Sequence, residues 1–464
     1  MPYRVQFVDA ISATPTIRLN LNNDTPWRIH KEGTDLPPPR LRRAMAGSLL
    51  ADGMTVPSAA YDNRVVTLSL VLYRDTTAEA AASALQDLAQ ELDRPGGNLL
   101  LWQPDTDAPV FFRTLRSDFG SVRWEPAEKR AVVTLYAEPF AYGLKETQSP
   151  VTVNNDPAAG SNGLFLDVSS VKGDVETPLC LSLPGTSINT TGGRQGAIAV
   201  RRRGTPSSAP FVLQCEAMTV GTNTTLQAND AVMSGSSNNY LRCTFTSASL
   251  QARATMATFP AAAGVDVRGT YRVYLRYRKT VSGDVITARI LAVADSQTVT
   301  NDTVTLPSGT DIRYVDLGLL PWPLGPDPGD DGYSRTALAV KGYSLQIDAG
   351  RTSGSGNLDF DCLLFVPADD RFAVVKWPIN PSTTVIVDST RDMVYALGTV
   401  GEVRSTEFPQ ITGGLPMVSP GQTNRITFIR DVGSTASGGD DKTGSTAVTS
   451  YYWPRYLYAR PAST

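Results

Sequence analysis

Val65-Val-Thr-Leu-Ser-Leu-Val-Leu-Tyr73 puts Val66, Leu68, Leu70 and Leu72 on one side of an extended chain, with Thr67 and Ser69 between them. That alternation reads as a strand with one dry face. Thr76 and Glu79 follow at the spacing of a capping box, in which a hydroxyl and a carboxylate satisfy amides that a helix's first turn leaves unpaired. Ala81, Leu85, Leu88 and Leu92 then recur at helical spacing, while Glu79, Gln86, Asp87 and Gln90 stay available to water. Arg94-Pro-Gly-Gly97 ends the helix, and Leu99-Leu-Leu-Trp102 resumes as a strand. The stretch predicts a β-sandwich with one helix, residues 76–93, laid against it.

Working outward, the chain is written in short strands. Candidates before the helix are residues 4–8, 17–20 and 27–30; after it come 110–115, 121–124 and 130–138. Asp35-Leu-Pro-Pro-Pro-Arg-Leu-Arg-Arg43 between them is basic and proline-stiffened, which predicts an extended, exposed segment. Beyond residue 145 a second sandwich begins with Val171-Lys-Gly-Asp-Val-Glu-Thr-Pro-Leu-Cys-Leu-Ser-Leu183 and residues 196–202, too few strands to close by themselves. The missing strands lie at the far end, at residues 384–388, 393–397, 425–429 and 449–453. Domains with adjacent termini accept insertions, so the block between is read as an inserted domain. In it Tyr271-Arg-Val-Tyr-Leu-Arg-Tyr-Arg278 alternates strongly and is expected to pair with residues 285–293 across the Ser282-Gly283 turn. The fold class is therefore mainly β. The expected domains are an N-terminal β-sandwich with one α-helix over 1–145, a discontinuous second β-sandwich over 146–205 plus 376–464, and an inserted jelly roll over 206–375.

At 464 residues the chain is long for one core, and two or three domains are expected. A formal net charge of −3 supplies no basic field, which argues against nucleic acid as the main partner. No apolar run reaches the length of a membrane span, and the N-terminus reads directly as a strand, so synthesis in a cytoplasm without a leader is expected. Cys180, Cys215, Cys243 and Cys362 are scattered and the chain has one histidine, His30, so a structural zinc site is not supported. The cysteines read as buried thiols behaving as small apolar residues.

Catalytic patterns are missing. His30 has no nucleophile motif beside it, and neither a phosphate-binding loop nor a nucleophile elbow falls at a strand-to-helix turn. Asp327, Asp330 and Asp331, and Asp440 with Asp441, lie in glycine-rich loops where solvated turn carboxylates are the plainer reading. The chain is thus not expected to be an enzyme. Trp322, Tyr314 and Tyr333 near the first acidic loop are candidates for stacking on sugar rings, with packing as the plainer alternative. Glu216 and Asp361, on the insert's opening and closing strands, are candidates to share a structural calcium, with edge-strand carboxylates as the alternative. No other cofactor is expected.

Several segments resemble one family. Glu138-Pro-Phe-Ala-Tyr-Gly143, Gly173-Asp-Val-Glu-Thr-Pro178, Val387-Asp388, Phe408-Pro409, Leu415-Pro-Met-Val-Ser-Pro-Gly-Gln-Thr-Asn424 and Trp453-Pro-Arg-Tyr-Leu457 occur in this order. In that order they resemble the distal tail protein, or baseplate hub ring protein, of long-tailed siphophages. The insert is similar to carbohydrate-binding-module jelly rolls in Cys215-Glu-Ala-Met218, residues 271–278 and Asp359-Phe-Asp361. The resemblance implies a virion structural protein of the tail tip: a homo-hexamer ring joining the tail tube protein to the tape measure protein and the tail hub or tail-associated protein. It further implies an insert that grips a host glycan. The insert's opening strand lacks the second acidic residue usual in such modules, which weakens the calcium expectation. A spacer or side-fibre docking platform, and a tail-borne polysaccharide depolymerase, are the rival readings.

Overall fold

The strand Arg64–Leu72 buries Val66, Leu68, Leu70 and Leu72 and leaves Val65 exposed, as period-two alternation requires. The computed structural model describes residues 3–22, 26–30, 32–47, 54–72, 77–104, 107–124, 129–154, 165–184, 194–201, 211–234, 236–256, 269–294, 297–322, 344–368, 371–377, 383–398, 400–403, 410–429 and 445–459. Two compact units emerge: Met1–Glu146 with Val171–Thr177 and Tyr452–Thr464, and Thr147–Ser170 with Pro178–Tyr451. The fold is mainly β, with antiparallel sheets and, among the described residues, one α-helix.

In the first unit we number β1 (Tyr3–Val8), β2 (Ile17–Asn20), β3 (Trp27–Ile29), β4 (Leu41–Gly47), β5 (Met54–Tyr61), β6 (Arg64–Leu72), α1 (Ala78–Leu92), β7 (Leu99–Pro104), β8 (Val110–Trp124), β9 (Lys129–Ala137) and β10 (Ala141–Tyr142). The main sheet runs β2-β1-β7-β8-β9-β6-β3. Residues 110–115 and 121–124, expected as two strands, are one strand that first pairs with β7 and then with β9. Its register shifts at Thr114/Arg116 and Phe119/Val122, and bulges of this kind bend a strand and increase its twist. Both halves of the sheet close on one core that holds Phe7, Trp27, Leu68, Leu100, Phe112 and Leu135. The basic segment 35–43 makes a bridge from Asp35 to Thr67 and then enters β4, which pairs with β5, a ribbon absent from the sequence reading.

The helix docks on that core through Ala81, Ala84, Leu88 and Leu92, and Leu85 is only partly buried, so Ala84 takes the inward position expected for Leu85. Burying Leu88 and Leu92 is worth roughly 1.5 to 3 kcal/mol each. The cap is Thr77, whose hydroxyl accepts from the Ala80 N–H at 3.2 Å; Thr76 lies outside the described residues. At the other end Asn98 donates to the Glu91 carbonyl at 2.7 Å and Ser117 to the Leu92 carbonyl at 2.6 Å, which satisfies two of the last turn's orphan acceptors.

In the second unit, segments from both sides of the long central block share sheets. Cys180–Pro184 pairs with Thr384–Asp388 in the register Leu181↔Val387, and on its other edge Cys180 lies opposite Tyr451. Arg194–Arg201 pairs with Arg371–Trp377 and with Asn424–Ile429. Before the last of these, Gly421 takes φ +72° and the Asn424 amide binds the Ser419 N–H and carbonyl at 2.8 and 2.9 Å, which fixes the Pro-Gly-x-x-Asn turn. Phe408-Pro409 lies outside the described residues.

The central block forms two six-stranded antiparallel sheets around one core. The expected hairpin across Ser282-Gly283 is not formed. Gly269–Lys279 pairs with Arg313–Trp322 and Leu358–Pro367, whereas Val285–Ala294 pairs with Ser344–Ser353 in the opposite sheet. Val273, Leu275 and Tyr277 thereby share a core with Ile286, Ala288 and Ile290. Each strand instead takes its ladder from partners distant in sequence, and the two sheets pack face to face so that both apolar sides enter one core. The crossing is fixed by Lys279, 1 % exposed, which donates to the Asp284 carbonyl at 2.9 Å.

Candidate functional site

Strands Tyr240–Cys243, Leu358–Pro367 and Gly269–Lys279 are neighbours in the first of those sheets. Leu241, Phe360, Leu275 and Tyr277 point into the core, so the alternate positions Arg242, Asp359, Asp361, Arg276 and Arg278 share the other face. Asp359, fully buried, accepts from Arg242 Nε at 2.7 Å and Nη2 at 2.9 Å, and from Arg278 Nε at 3.2 Å and Nη2 at 2.9 Å. Arg278 Nη2 also donates to Asp230 at 2.6 Å. Asp361 pairs with the buried Arg276 and accepts from the Ser234 N–H and hydroxyl, each at 2.7 Å. Arg276 gives another bond to the Val232 carbonyl at 3.1 Å.

Three guanidiniums and three carboxylates thus neutralise one another under the segment 230–234. Tyr240 lies beneath Arg242 and Arg278 at 5.6 and 5.8 Å. Hydrogen bonding to Asp359 raises the Arg242 pKa above its ordinary value. For Arg278 burial opposes the charge, and bonds to Asp359 and Asp230 outweigh it.

This geometry bears on two expectations. Both oxygens of Asp361 are engaged by Ser234 and the buried Arg276, so the guanidinium supplies the positive charge at the place where a calcium was expected. Glu216 sits half-buried on the single turn Cys215–Ala217, and no group of three His, Cys, Asp or Glu side chains suited to a metal occurs among the described residues. Tyr314 is fully buried against Tyr274, Cys362, Leu364 and Val366, so neither face of its ring is open to a sugar. Trp322 ends its strand opposite Gly269; its side chain, all of Tyr333, and Asp327, Asp330, Asp331, Asp440 and Asp441 lie outside the described residues. The signal that marks the real network is the alternation of arginines through Tyr271–Arg278 with aspartates at 359 and 361. It is legible in the sequence only as two charged strand faces.

His30 lies at an edge, with Nδ1 3.0 Å from the Glu32 carbonyl and 3.3 Å from Arg130. All four cysteines are free and buried. Burial pushes the thiols of Cys180 and Cys243 up to about 12, far from the range of a nucleophilic thiolate.

A second cluster lies in the first unit, where three of the quoted motifs meet. Ala141 and Tyr142 pair with Tyr456 and Arg455, and the Gly143 N–H donates to the Pro454 carbonyl at 2.8 Å. The Asp174 N–H donates to the Arg455 carbonyl at 2.8 Å, and the Asp174 carboxylate accepts from the Leu457 N–H at 2.8 Å. Thr177 closes the set with a 2.7 Å bond to the Trp453 carbonyl. The Arg455 guanidinium stacks on Phe140 and Tyr142, at 5.2 and 5.9 Å. Gly173, at φ +119°, is required here: a Cβ would lie 2.8 Å from the Arg455 carbonyl oxygen.

No protein-family model matches the sequence, and no curated protein does. Among solved structures, the crystal structure of the SPP1 Dit (gp 19.1) protein, described as a paradigm of the hub adsorption apparatus in Gram-positive infecting phages, aligns over 98 % of this chain and 99 % of its own at 8 % identity and TM-score 0.37. The phage P2 baseplate in its activated conformation with Ca aligns over 78 % of this chain and 98 % of its own, at 7 % identity and TM-score 0.24. The CBM22-1–CBM22-2 tandem of Paenibacillus barcinonensis Xyn10C aligns over 61 % and 99 %, at 9 % identity and TM-score 0.19. Likeness of this degree assigns the chain neither a family nor an activity.

Proposed function

We propose that the chain is a structural, non-enzymatic subunit of a phage tail tip, a distal-tail-type ring protein located in the virion. The observation that carries the reading is the convergence of Glu138–Gly143, Gly173–Thr177 and Trp453–Leu457, far apart in sequence, on one hydrogen-bonded cluster. These are segments through which the sequence resembles that family. The proposed division is 1–145, 146–205 with 376–464, and 206–375. Six copies form a ring whose neighbours meet through two different faces, because a cyclic operator above two-fold makes a heterologous contact. The ring joins the tail tube protein to the tape measure and hub proteins. Electron microscopy of the purified protein is expected to show six-fold rings; a chain that stays monomeric at high concentration and is absent from purified virions overturns the reading.

In this proposal the insert carries a weak grip on a host saccharide through Trp322 and Tyr333, and six copies raise avidity by factors on the order of 10² to 10⁴ where geometry allows joint engagement. A second reading, a spacer or docking platform for side fibres, is favoured by one observation: the charged face of the insert is already filled by its own Arg–Asp pairs and the segment 230–234. Glycan-array binding of the full chain, with Trp322→Ala and Tyr333→Ala as controls, separates the two. A blank array leaves the spacer.

A further inference from the structure

The N-terminal unit holds a cleft of about 680 Å³ that none of the readings above uses. Its walls are the end of β1, the turn after α1 from Arg94 to Leu99, the first bulge of β8, and Glu138. Three arginines, Arg18, Arg94 and Arg113, and two acidic residues, Asp9 and Glu138, are among the residues that line it.

The balance of donors and acceptors is uneven. Asp9 already accepts from the Thr16 N–H at 2.8 Å, and Glu138 accepts from the Tyr142 hydroxyl. Arg18 and Arg94 share the buried Glu91 through single long contacts of 3.5 and 3.4 Å. Arg113 stacks 4.8 Å above the Tyr142 ring, and among the described residues its guanidinium has no hydrogen-bond or ion-pair partner. Unused capacity in the cleft is therefore mostly donor capacity, presented by groups that cannot lose their charge.

Beside Arg113 stands Leu115, the extra residue of the bulge, 56 % exposed. Gly96, also in the lining, has φ +86° and open space where a Cβ would project, so a ligand can approach the backbone there. Gly97 is pressed against β8, with a hypothetical Cβ 2.1 Å from the Thr114 carbonyl, which fixes the turn in place.

We infer that this cleft docks a partner protein through a short segment carrying one carboxylate next to an apolar side chain, the carboxylate on Arg113 and Arg94 and the apolar group on Leu115. One acid group fits the unused donors. A polyanion, such as a phosphate-rich chain or a polyuronate, is opposed by the carboxylates of Asp9 and Glu138, which act against the wrong ligand. The cleft's chemistry stands whether or not the chain is a tail-tip subunit.

The test uses the full chain on an array of short peptides containing Leu-Glu-Leu, each beside a Leu-Gln-Leu twin, with Arg113→Gln and Leu115→Asp variants whose melting curves are recorded. Wild type is expected to prefer the glutamate peptides by about 10- to 100-fold, the worth of a charge-assisted hydrogen bond, with retention falling as salt rises. Both variants are expected to lose the preference. Equal retention of the twins overturns the inference, as does an Arg113→Gln variant that binds like wild type. Should Arg113→Gln fail to fold, Leu115→Asp at its exposed position decides alone. Displacement of the peptides by oligogalacturonate in preference to free Leu-Glu-Leu also overturns it and marks a glycan cleft instead.

Discussion

Arg276 and Asp361 form an ion pair in which neither side chain has any exposure to water. Such a pair is held by geometry more than by net energy, since desolvating two charges offsets most of their attraction. Its consequence appears when one partner is removed.

Asp361→Ala is expected to destabilise the second unit by about 3 to 5 kcal/mol, because Arg276 is left charged and buried. Combining Arg276→Met with Asp361→Leu is expected to recover most of the loss. Denaturant unfolding of Arg276→Met, Asp361→Leu and the double mutant gives the coupling; independent, additive losses would show that the pair does not act as a unit.

Truncation before Trp453 removes the partner of Ala141–Gly143 and the Leu457 carbonyl that accepts from the buried Arg64. At about 1 kcal/mol for each net hydrogen bond, the bonds of Arg64, Gly143, Asp174 (two) and Thr177 to the removed segment alone put the expected loss in the N-terminal unit at about 5 kcal/mol or more. Hydrogen exchange reads this directly: amides of residues 141–143 should lose protection, and unchanged protection would dismiss the cluster as a stabilising element.

Alkaline pH probes the same cluster. Burial pushes the Tyr142 phenol up to about 12, the nearby Arg455 working the other way, and burial likewise pushes Tyr456 up to about 12. The unfolded phenols lose protons near 10 while the folded ones hold them. The contribution of these two phenols to stability is therefore constant below about pH 10 and is lost between about 10 and 12, by about 2 to 3 kcal/mol for Tyr142. Tyr142→Phe should flatten that part of the decline in denaturation curves; an identical decline would show that Tyr142 does not titrate as described.

Gly96→Ala and Gly97→Ala make a matched pair. Both glycines have positive φ, +86° and +79°, but only Gly97 has a carbonyl oxygen in the way of a Cβ. Gly96→Ala is expected to lower stability by about 1 kcal/mol and Gly97→Ala by at least about 3. Thermal melts of equal depression for the two would show that backbone strain, and not the contact with Thr114, decides the site.

Local features can be read directly from the order of residues. The alternation at Val66, Leu68, Leu70 and Leu72 marked a dry strand face, the periodicity through Leu88 and Leu92 marked the helix, and the glycines after Arg94 marked its end. Even here Thr77 and not Thr76 proved to be the cap, since two adjacent hydroxyls offer the same chemistry and only backbone geometry selects one. Tertiary structure decided the rest. It put Gly269–Lys279 and Val285–Ala294 in opposite sheets instead of one hairpin, turned Tyr314 inward, and set Arg276 against Asp361, 85 residues away in sequence. Side-chain period tells which residues share a face, because neighbours in the chain fix it. Which two faces meet depends on closing long loops around a common core, and residues far apart in sequence carry no local mark of that choice.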